Sequence, residues 1–513
     1  MNTQREPTDM TEQAYIAVDF GAESGRVAVG LLGANDTLSL HEVHRFRHEP
    51  VPMPDGLMWD LTHLWQETLS GLTEASAFCR ARGVAPVSVG VDTWGVDFAL
   101  VQRPGGIVQL PHCYRDPGFP PVAQHVVDRL GSAALYEATG IQFLPFNSLF
   151  QFVERFERAP EPFGLNDTRL LFMPDLFNWL LTGQARVERT IASTGQMLDP
   201  RTGRWSETLL NKLQLPTAIL AEPIDPGTDL GPLLPEVQKR TGLGTGVRVT
   251  ATPSHDTASA VAAVPADPDT AWCYLSSGTW SLLGAELDQP RLTQAAAAAD
   301  FTNELGVAGK TRFLRNIAGL WLVQEIRRQL ERGGQALGYA ELTAQAAAAE
   351  PFRTLIPVQD PAFARPGVVV ESIHRYARQT DQPVPESVGQ LVRCCLESLA
   401  LEYRRTLDTL EDVAGSRFDV LHIVGGGGNN QLLNRMTCDA IDRPVVVGPS
   451  EATATGNLLT QAIGRGRLPD LAALRRVVAD STELVRLTPD PSDDWSPHLQ
   501  RYLSLAEAHA APA

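Results

Sequence analysis

The sequence predicts an α/β protein built from two related domains, and three observations carry that expectation. The chain has 513 residues, which is long for one hydrophobic core. The order strand, glycine-bounded turn, strand occurs twice, in "AYIAVDFGAESGRVAVGLL" (14–32) and "AWCYLSSGTWSLLGAEL" (271–287). In both halves a long amphipathic helix and another strand follow, and β-branched residues flank the turns. The halves join near "VPADPDT" (264–270). The predicted division is a disordered polar arm over 1–13, a first domain over 14–264, a second over 265–490 and a tail over 491–513.

The elements follow in order. "LSLHEVHRF" (38–46) reads as a third strand. A helix over 59–82 carries Leu61, Leu64, Trp65, Leu69 and Leu72 on one face. "PVSVGVDTWGVDFALV" (86–101) returns to strand, and "LLFMPDLFNWLLTG" (170–183) reads as a buried helix closed by a glycine. "GVRVTATP" (246–253) is strand and turn, after which "SHDTASAVAAV" (254–264) begins a helix. In the second half a long helix over 388–407 places Leu391, Cys395, Leu399 and Tyr403 at helical spacing. It precedes "DVLHIVGGGGNNQLLNRM" (419–436), a strand, a glycine loop and a helix.

Composition narrows the function classes. The net charge is −17, which argues against a nucleic-acid or anionic-membrane surface, since both want a basic face. A nucleotide ligand stays open, because backbone N–H groups hold phosphate without net positive charge. Six cysteines in so long a chain make no disulfide framework and no Cys-x-x-Cys pair, and Cys394 and Cys395 fit packing on a helix. The polar start lacks a signal peptide's apolar core, and no apolar run reaches membrane-spanning length. A cytoplasmic protein is expected.

The chemistry centres on three loops and one carboxylate. "DFGAESGR" sets Asp19 at a strand end, with Gly21 and Gly25 where the backbone bends tightly. Such a turn can aim several N–H groups at one anion, and Asp19 can hold hydrated magnesium beside it; a plain hairpin is the alternative. "SSGTWS" (276–281) is a second such loop, with Thr279 offering an N–H and a hydroxyl. In "GGGGNN" (425–430) four glycines let a flat, bulky group approach the backbone. This is no dinucleotide fingerprint, because Asn430 takes the last glycine position, and "GVAGKT" (306–311) is no P-loop, because Glu304 stands where its first glycine belongs. His255 and Asp256 lack the spacing of a zinc pair, and no G-x-S-x-G elbow accompanies them. A general base or a helix cap made by Ser254 or Asp256 remain as readings of "SHDT".

At these residues the chain resembles the FGGY family of carbohydrate kinases. The resemblance rests on "AVDFGAESGRV", "VGVDTWGVDFALV", "YRDP", "GIQFLPFNSLFQ", "LLFMPDLFNWLLTG", "SHDTASAV", "YLSSGTWSLLG", "LRNIAGLWLVQ" and "LHIVGGGGNNQLLN", in family order from 15 to about 460. It implies two actin-like ATPase (ribonuclease H-like) domains facing a central cleft, with ATP as co-substrate and Mg2+ as cofactor. It also implies Asp256 as the general base, with Gly95, His255, Asp256, Thr257 and Asn316 on the sugar. Ala22, Glu23, Ser24, Gly25 and Arg26 would cradle ATP phosphates, with Thr279, Gln324 and Gly427 on the nucleotide and Asp19 near the metal. Glu23 departs from the pattern where a serine fits more snugly, so its side chain is expected to point outward. A helix start at Asp256 is expected to favour its ionised form. Asp92 and Asp97 read equally as turn formers or ligands, and Trp94 as core or as a wall of the sugar pocket.

"GIQFLPFNSLFQ" and "DTWGVDF" point to the branch of the family that phosphorylates L-rhamnulose at O1. The partners so implied are a small sugar and ATP. A kinase for another ketose or polyol, such as L-fuculose or xylulose, competes with this, because a few side chains accommodate one stereocentre. A non-catalytic actin-like ATPase module is the rival from another class.

Overall fold

The computed structural model describes residues 12–103 and 106–510. Residues 1–11 of the expected polar arm lie outside the described residues, and Gln13 already opens the first strand. The chain forms two compact units. The first comprises the chain up to Pro265 together with Glu286–Phe313 and Ala452–Thr482. The second comprises Ala266–Ala285, Leu314–Glu451 and the chain from Glu483. Two later segments thus pack with the first unit, which a single cut near residue 265 does not express.

The first unit is organised by β1 (Gln13–Phe20), β2 (Ser24–Leu32), β3 (Leu38–Arg47), β4 (Pro86–Thr93), β5 (Asp229–Pro232) and β6 (Arg248–Thr250). Their order in the sheet is β5-β6-β4-β1-β2-β3. β1, β2 and β3 form an antiparallel meander, whereas β4 runs parallel to β1 and β6 parallel to β4. Residues 14–20 of β1 are buried on both faces, as expected of a strand covered by helices on both sides. The helix Leu61–Arg82 packs on β2 and β3, with Asp60 as its N-cap and the left-handed Gly83 as its stop. The helix Ala452–Gly464 packs on β1 and β4.

Two predicted elements are corrected here. The run 86–101 is two strands, because the chain turns out of the sheet at Trp94–Val96, where Val96 has φ 69°. "LLF" before Met173 belongs to the strand Thr168–Phe172, which pairs antiparallel with Phe98–Gln102. Only Met173–Thr182 is helix, opened by Pro174 in its first turn and closed by Gly183.

The second unit repeats the pattern with β7 (Trp272–Ser277), β8 (Trp280–Leu287), β9 (Thr311–Ala318), β10 (Val420–Val424), β11 (Val445–Val447) and β12 (Val485–Leu487), of which the end of β8 from Glu286 and the start of β9 up to Phe313 belong to the first unit. Their order is β9-β8-β7-β10-β11-β12. β7 and β8 are antiparallel, and β10 runs parallel to β7 as β4 does to β1. The long helix Val388–Ala414 precedes β10 just as Leu61–Arg82 precedes β4. The tail is partly folded: the helix Ser496–Ala510 buries Tyr502, whose hydroxyl donates to Glu402 Oε2 at 2.9 Å.

Candidate active site

In the first unit, sheet register brings three charged residues into line. Asp19 pairs across β1–β2 with Arg26 and across β1–β4 with Asp92, so all three share one face. Arg26 grips Asp19 Oδ2 through Nε at 2.9 Å and Nη2 at 2.8 Å. Asp92 is fully buried and accepts from Asn457 Nδ2. Burial first, then the Asp19 charge, pushes the Asp92 carboxyl well above the usual range. Its Oδ1 has no donor among the described residues.

Ala22 and Glu23 lie in the turn from β1 to β2, and Ser24, Gly25 and Arg26 open β2. Gly21 N–H donates to the Ser24 carbonyl at 2.9 Å, closing it tightly. A Cβ on Gly25 would overlap the Phe46 ring. Glu23 is exposed, as its departure from the family pattern led us to expect.

"SHDT" is anchored by a buried carboxylate the sequence did not single out. Glu188 caps the short helix Arg189–Ser193 and also accepts from Ser254 N–H at 3.1 Å. Thr190 Oγ1 accepts from His255 N–H at 3.3 Å, and Thr93 N–H donates to the Ser254 carbonyl at 2.9 Å. The loop is therefore fixed to the end of β4 from one side and to Glu188 from the other. His255 is the N-cap of the helix Asp256–Ala262 without any side-chain cap bond, and Ser254 Oγ donates to the Thr252 carbonyl. Ser254 therefore bonds no free N–H of this helix, and Asp256 meets the Thr257 N–H from the first helical position, not as the N-cap. Asp256 Oδ1 accepts from the N–H and hydroxyl of its neighbour Thr257, and no hydrogen bond reaches Oδ2 from the described residues.

At Asp256 the Thr257 N–H of the helix start favours the ionised form, but burial outweighs it. Its side chain is 31% exposed in a recess, and burial raises its pKa above the ordinary value, opposed by His255 and reinforced by Asp19. His255 Nε2 lies 3.4 Å from Asp256 Oδ1. On the other edge of the ring, Nδ1 lies 3.0 Å from Glu304 Oε2. Glu304 sits on the strand Thr302–Leu305 and meets Arg312 Nη2 at 2.9 Å. Burial alone would raise the Glu304 carboxyl, but Arg312 and then His255 overcome it and hold it at about 2.

Gly95 sits in the turn after β4, where the Val96 N–H donates to Thr194 Oγ1 at 3.0 Å. Asp97 accepts from Trp59 Nε1 at 2.6 Å, Gln151 Nε2 at 2.8 Å, Trp94 Nε1 at 3.0 Å and Tyr114 N–H at 3.2 Å. Burial lifts its carboxyl to about 6 against those bonds. With its oxygens so engaged, Asp97 ties the turn to its surroundings. Trp94 is core, 4.2 Å from Trp59 between ring centroids.

In the second unit, the β7–β8 turn carries Thr279, whose Oγ1 accepts from Gln324 Nε2 at 3.2 Å. Leu320 and Trp321 N–H groups donate to the Gly278 and Thr279 carbonyls, seating the helix Trp321–Arg332 on the turn. A Cβ on Gly319 would come within 2.7 Å of the Thr279 carbonyl oxygen, so only glycine permits this seating. The glycine loop follows β10, which pairs Val424 with Ser276 and so sets the loop beside the same turn. Gly427 is buried against Ser277, whose Oγ a Cβ would overlap, whereas Gly426 faces open space. Close packing of the loop on β7, rather than approach of a ligand, requires glycine at 427. Asn430 caps the helix Gln431–Ile441 through the Leu433 N–H at 3.0 Å, which accounts for its place at the end of the glycine run. Asn316 lies on β9, and its carbonyl accepts from Gln359 Nε2 at 3.3 Å.

Comparison with known proteins decides the family. Residues 14–263 match the N-terminal domain of the FGGY family of carbohydrate kinases, and residues 273–465 match its C-terminal domain. The chain belongs to the FGGY family of carbohydrate kinases. A rhamnulokinase from Bacteroides thetaiotaomicron is 41% identical over 484 residues, covering 94% of this chain and 97% of the relative. One from Pectobacterium carotovorum is 40% identical over 505 residues, covering 98% of each chain. The xylulose kinase of Rhodospirillum rubrum has the same fold at TM-score 0.76 and 19% identity, covering 97% of this chain and 98% of that one. Plasmodium falciparum glycerol kinase with ADP does so at TM-score 0.77 and 14% identity, covering 97% and 98%. The sugar-kinase fold predicted for this FGGY kinase is therefore present. Among the described residues no helix is long and apolar enough to cross a membrane.

Sequence reasoning missed Glu188, Glu304, Arg312 and Asn457. Glu304 had a signal of its own, an acidic residue in a strand of otherwise uncharged character, "FTNEL". Its partner lies eight positions on, and its target nearly fifty positions back.

Proposed function

We propose that this kinase transfers the γ-phosphoryl group of ATP to O1 of L-rhamnulose, giving L-rhamnulose 1-phosphate and ADP, with Asp256 as general base. Near-full-length similarity to rhamnulokinases, at 41% identity for one of them, carries the choice of substrate. The recessed Asp256 supports the chemistry. A sugar hydroxyl is a weak nucleophile, and a carboxylate within reach takes its proton as phosphoryl transfer proceeds. Thr257 occupies Oδ1, leaving Oδ2 to receive that proton.

Gly95, His255, Thr257 and Asn316 are assigned to the sugar. Ala22 to Arg26, Thr279, Gln324 and Gly427 are assigned to ATP. Arg26 serves the phosphates through its backbone, because its guanidinium is committed to Asp19. The carboxylates fit magnesium: Asp19 and Asp92 are hard oxygen donors side by side, and one Asp92 oxygen lacks a donor. Among the described residues no group of three or more side chains forms a metal cage, which suits an ion that keeps most of its water. Magnesium held by Asp19 would neutralise phosphate charge. A cytoplasmic location fits six cysteines that are all buried and free.

The test is ADP release from magnesium-ATP with a panel of ketoses. Turnover of L-rhamnulose well above L-fuculose and xylulose is expected; preference for either of those overturns the substrate assignment.

Two further outcomes follow. Because burial raises the Asp256 pKa, kcat is expected to fall with acidification at a pH above the ordinary aspartate value of about 3.9. A kcat profile still level at that value would exclude Asp256 as the base. Gly427→Ala forces the loop off Ser277, and KM for ATP is expected to rise about tenfold, equivalent to about 1.4 kcal/mol, with KM for the ketose little changed. Equal changes in both constants would remove the loop from the nucleotide.

A further inference from the structure

Arg312, Glu304, His255 and Asp256 form a line of alternating charge-bearing groups within the first unit. Arg312 and Glu304 are almost wholly buried, at 1% and 7% side-chain exposure. Two buried ions need each other, because removing one leaves the other unpaired away from water. A buried pair of this kind stabilises a fold poorly compared with apolar side chains, so its presence asks for another reason. The contact of both ions with His255 Nδ1 supplies one.

Arg312 is itself held, since Nε donates to the Leu305 carbonyl at 3.2 Å. Leu305 N–H in turn donates to Ser193 Oγ at 2.9 Å, and Ser193 ends the short helix that Glu188 caps. Glu304 is thus clamped from the strand and from the guanidinium. His255 Nδ1 lies 3.0 Å from the Glu304 carboxylate and 3.2 Å from Arg312 Nη2, so both members of the ion pair hold that edge of the ring. That leaves Nε2 on the edge of the ring toward Asp256.

We propose that Glu304, locked by Arg312, is a positioning residue for phosphoryl transfer: the pair fixes the His255 ring with its Nδ1 edge against Glu304 and Arg312 and its Nε2 edge beside the Asp256 carboxylate and the sugar. This rests on the reading of His255 and Asp256 as sugar-side residues. Glu304 itself touches neither substrate nor reacting atoms, and acts only through His255. Orientation of an imidazole by a buried carboxylate is a general device for choosing which nitrogen faces the chemistry. The residue that rules out a P-loop in "GVAGKT" thereby gains a role of its own.

The test is a double-mutant cycle in the full-length protein, run on the ketose that the wild type phosphorylates best. Glu304→Gln and His255→Gln are measured singly and together for kcat, KM for ketose and KM for ATP. Glu304→Gln is expected to lower kcat/KM for the ketose by roughly 10–100-fold, the usual cost of losing an outer-shell orienting partner, with KM for ATP unchanged. In the His255→Gln background the same change should cost less than about twofold. A loss of equal size in both backgrounds overturns the proposal, since a purely structural role would give that result.

If Glu304→Gln fails to fold, Glu304→Asp is run through the same cycle against His255→Gln. A loss in kcat/KM for the ketose that shrinks below about twofold in the His255→Gln background supports the proposal, and a loss of equal size in both backgrounds overturns it. Wild-type preference for a ketose other than L-rhamnulose would change the substrate and leave the cycle to judge Glu304. Full activity of His255→Gln would remove the sugar-side reading of His255 and the proposal with it.

Discussion

Asp256→Asn is expected to lower kcat by about 10²–10⁴-fold, the range a general base contributes, while KM for magnesium-ATP changes little. The substitution is nearly isosteric. Its Oδ1 still accepts from the Thr257 N–H and hydroxyl, so the start of the helix Asp256–Ala262 is kept. What is lost is a group able to take a proton. Removing a partly buried carboxylate also relieves its repulsion with Asp19 and Asp92, so the variant is expected to unfold no earlier than the wild type. ADP release, with thermal unfolding as a control on folding, checks both parts. Retention of kcat within about twofold would take the base role from Asp256.

Gly456→Ala is expected to be nearly as damaging, from a position with no chemistry at all. Gly456 lies on the helix Ala452–Gly464, pressed against the helix that Asp256 leads. An added Cβ would overlap the Ser259 carbonyl oxygen and lie 2.7 Å from its carbon. Those are backbone atoms, which cannot turn aside as a side chain can. Either the two helices separate or the fold loses stability, by about 1–3 kcal/mol for an overpacked core site. The same helix sends Asn457 to Asp92 and Gln461 to Ser88 and to the Ile16 carbonyl. Moving it therefore disturbs the carboxylate line as well as Asp256. A misplacement of about 1 Å can cost roughly 100-fold in rate, so kcat is expected to fall along with the unfolding temperature. An unchanged kcat at unchanged stability would mean that the contact is not tight.

Much of the fold was legible because its signals are local. β-branched runs around "GAESG" and "SSGTW" became β1–β2 and β7–β8, and the apolar stripe from Leu61 to Leu72 became one long helix. The break at Trp94 was not legible, since "VDTWGVDF" keeps strand-forming residues on both sides of a turn that depends on Val96 at positive φ. "LLF" before Met173 joined the wrong element because an apolar run of that length suits a strand or a helix equally. Of the candidate site, Asp19, Asp256 and the loops carry motifs that survive in one stretch of chain. Glu188, Glu304, Arg312 and Asn457 do not: each acts across a distance in sequence that only the folded sheet removes. A buried acid such as Glu304 looks like any other glutamate until its cation and its histidine are placed beside it.

The most direct measurement of the central claim is the 31P NMR spectrum of the product formed from L-rhamnulose and magnesium-ATP. Transfer to O1 places phosphorus on a methylene carbon, so a new sugar-phosphate signal split by two equivalent-type protons should grow as ADP appears. Phosphorus coupled to a single proton would put the phosphate on a secondary hydroxyl, and ADP with free phosphate alone would mean that water, not the sugar, is attacked. Either result would contradict the account.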